Sequence, residues 1–425
     1  MTKAGLVIGA GIAGVQAALD LADQGFTVYL IEKNPSIGGR MAQLDKTFPT
    51  LDCAACIMTP KMVDAGRHPN IKLLAYSEVK EVRREGKNFK VKILKKPRYV
   101  DEEKCTGCGA CAQLCPVEIP NEFDERMGVR NAIYVPFPQA VPLIYTIDKE
   151  HCLECELCQN VCMAGAINLQ QQPEEMEVEV GAIIVTTGFN LFDAGKKEEY
   201  GYGLYDNVIT GLALERLLSA SGPTGGHVVR PSDGKIPKKV AFIQCVGSRD
   251  EKSGNLYCSR VCCMYATKEA ELVKEHVPGV DVTVYYMDIR AFGKAFEEFY
   301  QRAKNEFGIK YVKGRVAEVL ENPANNNLFI RAENVESGEL IEDDVDMVIL
   351  STGIVPAATN EFEKVLPLKI GDDYFFVAAN PKVDPVTTTL DGVFIAGVAE
   401  GPKDIPDAVT QASAAAMKAS ILLKE

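Results

Sequence analysis

The sequence predicts an α/β protein built on two dinucleotide-binding units, with a cysteine-rich segment inserted into the first. Three observations carry this expectation. The chain opens on a strand, a glycine turn and a helix in phosphate-loop order, and apolar strands ending in small-residue turns recur at 182–188, 345–353 and 392–397. Between the first strand and those later ones, one cysteine run is written twice with the same internal spacing.

The opening element is the most regular. Leu6-Val7-Ile8 is a short apolar run, followed by Gly9-Ala10-Gly11-Ile12-Ala13-Gly14 and an amphipathic stretch to Gln24. A second apolar run, Thr27 to Ile31, ends on Glu32. Strand, G-x-G-x-x-G turn, helix and an acid-capped strand in this order form a dinucleotide fingerprint. Gly9 serves the tight turn, Gly11 lets the backbone approach a pyrophosphate, and Gly14 permits close helix–sheet packing. The helix N-terminus offers partial positive charge to phosphates, and Glu32 would accept hydrogen bonds from a ribose.

The later strands extend the pattern. Gly38-Gly39-Arg40 places a second glycine pair where the chain would pass close to a bound cofactor. Ala182 to Val185 leads into Thr186-Thr187-Gly188, Val345 to Leu350 into Ser351-Thr352-Gly353, and Gly392 to Ala396 into Gly397. Together these resemble the two-dinucleotide-binding flavoproteins of the thioredoxin and glutathione reductase type, in which a second nucleotide-binding domain splits the flavin domain. The resemblance implies FAD at Gly9–Gly14, with Gly38, Gly39, Arg40, Thr187, Gly188 and Gly397 beside it. Such enzymes often carry Gly-Asp near the C-terminus; here Val398 follows Gly397, so flavin contact there would come from backbone groups.

The cysteine runs are the most specific feature. Cys105, Cys108, Cys111 and Cys115 read C-x2-C-x2-C-x3-C, and Cys152, Cys155, Cys158 and Cys162 repeat it. Zinc motifs usually pair two cysteines and then leave a longer gap, whereas this is the ligand pattern of a two-[4Fe–4S] ferredoxin. In that pattern the fourth cysteine of each run ligates the other run's cluster. One set is then Cys105, Cys108, Cys111 and Cys162, and the other Cys152, Cys155, Cys158 and Cys115. Pro116 follows the first run as the pattern expects, while Met163 stands at that place after the second.

The second nucleotide-binding unit should begin near Lys238-Lys239-Val240-Ala241-Phe242-Ile243 and carry its own glycine turn. Gln244-Cys245-Val246-Gly247-Ser248-Arg249 follows instead, with one glycine where three are wanted. Cys258, Cys262 and Cys263 complete a C-x12-C-x3-C-C run with Cys245, enough thiolates for a third [4Fe–4S] cluster, although buried free cysteine is the plainer alternative. Cys53 and Cys56 form a C-x-x-C that reads as a redox dithiol, as two ligands of a fourth cluster completed elsewhere or by a partner chain, or as a structural pair. Their position soon after Gly38-Gly39 would place them near the flavin. Arg290 and Lys294 could set positive charge beside a reduced flavin, or be solvated surface charge.

Taken together, the Gly9–Gly14 turn, Gly39-Arg40-Met41-Ala42-Gln43-Leu44, Asp52-Cys53 to Cys56, the double run and Cys245 to Cys263 resemble the flavoprotein component of heterodisulfide reductases, their A-type polypeptide, across nearly the whole chain. The family implies FAD, several [4Fe–4S] clusters and the capacity to bifurcate an electron pair. Larger members add an N-terminal domain and a C-terminal ferredoxin domain, so the resemblance is to a short form. Similar short A-type polypeptides serve the class II benzoyl-coenzyme A reductase complex of strict anaerobes and, more distantly, a quinone-interacting complex of sulfate reducers. The partners implied are other redox subunits: B/C-type reductase subunits, ferredoxin or hydrogenase-like donors, and a second copy in a homodimer. A self-contained NAD(P)H dehydrogenase, like the small subunit of glutamate synthase, and a redox-inactive assembly protein are the alternatives.

The expected division is a flavin segment over 1–97, a ferredoxin insertion over 98–172, a resumed flavin segment over 173–234, a second nucleotide-binding-like domain over 235–350 and a closing flavin segment over 351–425. A single strand is expected over Glu177–Val185, and a helix over Ala408–Leu423 with Pro406 near its start. Composition agrees. A chain of 425 residues, 47% apolar, can bury more than one core. Fourteen cysteines in cluster spacing argue for a reducing cytoplasm. A strand starting at residue 5 leaves no room for a signal peptide, and no run approaches the roughly 20 apolar residues of a membrane span. The net charge of −13 disfavours nucleic acid and anionic membranes. With 4 histidines and no H-E-x-x-H or Ser–His–Asp signature, hydrolase chemistry has no support. An electron relay also requires no side-chain acid, base or nucleophile.

Overall fold

The computed structural model describes residues 3–357 and 362–424. Its first sheet grows from β1 (Ala4–Ile8), whose five residues are all buried, as a central parallel strand requires. β2 (Thr27–Glu32) and β3 (Ile71–Ala75) lie to one side of β1, and Ala182–Val185 and Val393–Ile395 to the other. Every pairing in this sheet is parallel. Strands far apart in sequence therefore meet side by side, with their C-terminal ends at one edge.

One face of the sheet is covered by α1 (Ile12–Ala22), α2 (Ala54–Arg67) and the last helix, Ile405–Lys424. Small residues set this packing. Ala13, Ala17, Ala18 and Ala22 of α1 share a core with Ala412, Ala415, Ala416 and Ala419 of the last helix. The other face packs on an antiparallel sheet of β4 (Ser77–Glu85), β5 (Asn88–Lys95) and Glu174–Val180. The single strand expected over Glu177–Val185 is thus two strands in two sheets, because Gly181 breaks the run and lets the chain change layer.

A second sheet has seven strands. Lys239–Val246 lies between Met347–Thr352 and Asp281–Tyr286, parallel to both. Lys310–Asn322 continues the sheet and hands over to an antiparallel hairpin, Asn327–Asn334 and Leu340–Val345. A two-stranded ribbon, Phe189–Leu191 against Ile354–Pro356, carries the chain between the two sheets. The double cysteine segment has little regular structure of its own: two short hairpins and helical turns at Ala110–Gln113 and Leu157–Val161. Its small core is Val100, Ile133, Ile147, Ala166 and Ile167, with cysteines filling the remaining volume.

A buried side chain helps fasten the segment to the loop that follows β2. Arg98, only 1% exposed, donates to Pro35 O at 2.7 Å, Thr146 Oγ1 at 2.8 Å and Glu102 Oε1 at 2.7 Å. Ser36 Oγ accepts from Val141 N at 2.9 Å beside it. Among the described residues, no helix is long and apolar enough to cross a membrane.

Candidate functional site

The strand ends of the first sheet open on a cavity of about 510 Å³. Gly9, Gly11, Glu32, Gly39, Arg40, Thr187, Gly188 and Gly397 all line it. Gly14 and Gly38 stand behind the wall. A Cβ on Gly14 would lie 1.8 Å from Gly9 O, so glycine there lets α1 sit directly on the turn. Gly38 N donates to Ala10 O at 2.9 Å, which holds the second glycine segment against the first. Gly9 itself has φ of +98°, which glycine adopts without strain. Gly11 caps α1 without a side chain, leaving no side-chain group over the first helical turn.

These features fit a dinucleotide. A Cβ on Gly39 would come within 2.8 Å of Gly11 Cα, so the two glycine segments form a bare backbone cradle at the positive end of α1. Glu32 is buried; Oε2 accepts from Ala10 N at 2.9 Å, and Oε1 from Asn34 N and Asn34 Nδ2, both at 2.9 Å. Lone pairs remain for a ribose hydroxyl. Burial raises the Glu32 carboxyl above its ordinary range, opposed by the Asn34 and Ala10 N–H donors.

At the far side, Asp404, Ile405 and Ala408 bring the start of the last helix to the cavity. Val398 follows Gly397 where the resemblance leads one to expect aspartate, and a lysine farther on organises the turn. Lys403 Nζ donates to Gly397 O at 2.9 Å, Gly401 O at 3.0 Å and Glu400 Oε2 at 2.8 Å. Burial lowers its basicity. Arg290 and Lys294 do not line the cavity; Arg290 pairs with Asp288 as an exposed surface charge.

The second sheet's layer supplies the remaining wall through the helices Gly211–Leu218, with Leu212 and Glu215, and Cys262–His276, and through Thr352 at a strand end. Cys262–His276 carries Tyr265, Lys268 and Glu269 on the cavity side. Lys268, 1% exposed, is ion-paired to Glu215 and also donates to Lys46 O at 2.9 Å. Glu215 Oε2 accepts from Asp45 N at 2.9 Å. Arg216 donates to Asp124 Oδ1 at 2.9 Å and Gln43 O at 3.0 Å. Replacing Lys268 by methionine strands Glu215 as a buried, unpaired charge, and the expected loss is about 3–5 kcal/mol in denaturant unfolding. A loss under about 1 kcal/mol, as for exposed pairs, would show that water already screens this pair.

The helix Cys262–His276 begins on two cysteines. Cys245, Cys258, Cys262 and Cys263 stand together: burial, then the neighbouring cysteines, raise the thiols of Cys245, Cys262 and Cys263. Burial pushes Cys263 to about 12 and Cys262 well above its ordinary value. The strand carrying Cys245 loses register between Ile243 and Val246, and Cys245 has φ of +61°, so the thiol turns out of the sheet where a phosphate turn would be. Arg249 sets a cation beside Cys245 and Cys258, and Arg260 N donates to Cys258 Sγ at 3.3 Å. Four thiols, a guanidinium and a backbone N–H fit an anionic iron–sulfur group, whose binding must expel the thiol protons.

In the double run, Cys111 neighbours Cys105 and Cys108 beside Tyr145, and burial pushes Cys111 to about 12. A separate small cavity is lined by Cys152, Cys155 and Cys158 together with Cys115 of the other run. Cys162 packs in the shared core. Among the described residues, no three His, Cys, Asp or Glu side chains converge on a single-ion site. A four-iron cube, bound at its corners, asks for wider spacing than one ion does.

Cys53 caps α2 and accepts from Cys56 N at 3.2 Å, while Cys56 is exposed. Neither lines the cavity at the glycine turns; the turn from Phe48 to Leu51 leads them away from it, and Phe48 and Leu51 pack in the cluster that holds Cys263. A side-chain interaction with Cys53 raises the Cys56 thiol.

With this geometry in place, comparison with known proteins is specific. Residues 7–69 match the NAD(P)-binding Rossmann-like domain, and residues 98–121 the 4Fe-4S binding domain. The chain is 60% identical over 98% of its length to the A component of the H(2):CoB-CoM heterodisulfide,ferredoxin reductase of Methanothermobacter marburgensis, spanning 63% of that protein. It is 58% identical over 99% of its length to the iron-sulfur A component of the CoB--CoM heterodisulfide reductase of Methanocaldococcus jannaschii, spanning 64% of it. The fold matches thioredoxin reductase of T. acidophilum with a TM-score of 0.56 at 14% identity, covering 99% of this chain and 98% of that one. Over nearly its whole length the chain is thus similar to the A components of heterodisulfide reductases, of which it spans somewhat under two thirds, and its fold is the α/β fold of thioredoxin reductase with a 4Fe-4S binding domain inserted.

Proposed function

We propose that this chain is the electron-transfer component of a heterodisulfide reductase-like multi-subunit oxidoreductase of an anaerobe, holding FAD in the cavity at Gly9–Gly14. FAD supplies the exchange between electron pairs and single electrons. The residues that would hold it are Gly9, Gly11, Gly39 and Arg40 at the phosphates, Glu32 at the ribose, and Thr187, Gly188 and Gly397 along the remaining wall, with Gly14 and Gly38 keeping the turn in place. Cys105, Cys108, Cys111 and Cys162 would hold one [4Fe–4S] cluster, Cys152, Cys155, Cys158 and Cys115 a second, and Cys245, Cys258, Cys262 and Cys263 a third. Cys53 and Cys56 are half of a fourth site that a partner completes. The proposed domain division keeps the expected boundaries near 97, 172 and 350, but moves the one expected near 234 to the ribbon near 190, because Val208–Thr210 is a strand of the second sheet and the helix after it packs in that sheet's core.

One observation carries the reading. The helix Cys262–His276 presents two of the third group's thiols at its start and Tyr265, Lys268 and Glu269 to the flavin cavity. Metal ligands and flavin wall share one rigid element, so their separation is fixed. Arg249 offsets thiolate charge at the third group, and the small apolar core around Val100, Ile133 and Ile147 backs the cysteines of the other two. The B/C-type reductase subunits, ferredoxin and hydrogenase-like proteins are the exchange partners proposed, a second copy of the chain the structural one, and a reducing cytoplasm the setting. The CoB–CoM heterodisulfide named for the relatives is the substrate proposed for the assembled complex, with benzoyl-coenzyme A reductase the alternative assembly. A self-contained NAD(P)H dehydrogenase is disfavoured, because the strand Lys239–Val246 runs into Cys245 where a nicotinamide enzyme needs its glycine turn.

Anaerobic iron, sulfide and flavin quantification tests this, with a Cys263→Ala variant alongside. The variant is expected to lose about four irons and keep FAD. Unchanged iron would make Cys245 to Cys263 structural. Bleaching of the flavin by NADH or NADPH would restore the direct-donor reading.

A further inference from the structure

The cofactor reading leaves one reactant without a source. Thiolate-held clusters deliver electrons only, whereas a flavin that accepts an electron pair also takes a proton on its ring. A protein group at the cavity wall that holds a proton at neutral pH and has a route to water would deliver it on the spot.

Glu269 meets these requirements by placement. It lines the cavity, is 1% exposed, and its Oε2 has no hydrogen-bond partner. Its neighbours on the same helix face are engaged otherwise. Tyr265 donates its hydroxyl to Thr352 O at 2.8 Å, and Lys268 is bound to Glu215 and Lys46 O. Across from Glu269 stands Glu215, from the helix Gly211–Leu218, and behind Glu215 stands Asp45, half-buried at the edge of the cluster. The titratable groups facing Glu269 are thus Glu215, Lys268 and Tyr265, with Asp45 next in line.

We propose that Glu269 is the proton carrier of the flavin cavity, an inference that rests on the FAD reading. As two electrons arrive one at a time from reduced clusters, which are thereby oxidised, the Glu269 O–H bond breaks and an N–H bond forms on the flavin ring. The resulting carboxylate regains its proton from water by way of Asp45 and Glu215. On reoxidation the proton returns along the same path. Burial and the adjoining Glu215 charge hold the Glu269 carboxyl well above the ordinary carboxylate range, with Lys268 opposing, which agrees with a neutral acid at rest. The relay requires a side-chain acid after all.

The test uses anaerobically purified holoprotein of the wild type, Glu269→Gln and Glu269→Asp. Flavin content is measured first; a wild type without flavin overturns the FAD reading itself. Given flavin, the infrared spectrum of the wild type at pH 8 is expected to show a neutral-carboxyl C=O band that Glu269→Gln lacks and that shifts when the flavin is reduced. Flavin reduction by titanium(III) citrate in Glu269→Gln should slow about 100-fold, with Glu269→Asp between. A wild type lacking the band at pH 8 overturns the proposal even if Glu269→Gln fails to fold. So does a flavin-replete Glu269→Gln that keeps both the band and the wild-type rate.

Discussion

Gly14→Val should yield protein that holds no flavin and melts far below the wild type. A Cβ at position 14 would sit 1.8 Å from Gly9 O and 2.7 Å from Thr186 Oγ1. Gly9 belongs to the turn and Thr186 to the end of the neighbouring strand, and the two are held together by the hydrogen bond from Thr186 Oγ1 to Gly9 O at 2.7 Å. Neither can retreat without breaking that bond, so α1 must lift off the sheet. Overpacking a core ordinarily costs about 1–3 kcal/mol; here the clash is with backbone and the expected cost exceeds that range. Moving α1 also displaces the amides of its first turn from the phosphates. Flavin absorbance after gel filtration and a thermal melt by circular dichroism check both parts. Stoichiometric flavin with an unchanged melt would mean that the turn is not the phosphate cradle.

The second large effect concerns which thiols share a cluster. Cys115→Ala is expected to remove about four irons, and the informative measurement is its combination with a second change. With Cys152→Ala it should cost no further iron, because both thiols border one small cavity. With Cys105→Ala the losses should add to about eight irons. The reverse pattern would place Cys115 with its own run. Fe and acid-labile sulfide assays on the three proteins, prepared without oxygen, decide between the two.

Much of this architecture is legible in the sequence because the informative residues lie next to one another in the chain. The glycine turns, the strands that end on them and the cysteine runs are local patterns, and eight of the ten expected flavin residues do line one cavity. The cavity's charged floor is not legible in the same way. Glu215 and Lys268 are 53 residues apart in sequence and meet only when the second sheet docks. A signal is nonetheless present. Gly211–Leu218 reads GLALERLL, and every residue in it is buried, including Glu215 and Arg216; charges inside so apolar a run require buried partners. Lys403 escapes sequence reasoning because its role is to hold a carbonyl turn, which no side-chain pattern announces. Arg290 and Lys294 are cations near the second unit, yet their loop lies off the cavity wall. Gly181 turns one expected strand into two, since an apolar run does not reveal a change of layer.

The ribbon Phe189–Leu191 with Ile354–Pro356 is only two strands wide, and by itself would let one half of the molecule swivel on the other. Four ties oppose this. Lys268 reaches Lys46, Glu215 reaches Asp45, Arg216 reaches Gln43, and Arg260 holds Asp407 at 3.0 Å and Pro402 O at 3.2 Å. A swivel would strip the buried Lys268, Glu215 and Arg216 of these backbone partners, which is costly. The molecule is therefore braced as a solid-state conductor would be. In the proposed relay, the separation between the half that would hold the flavin and the half that would hold the third cluster is set by these four ties.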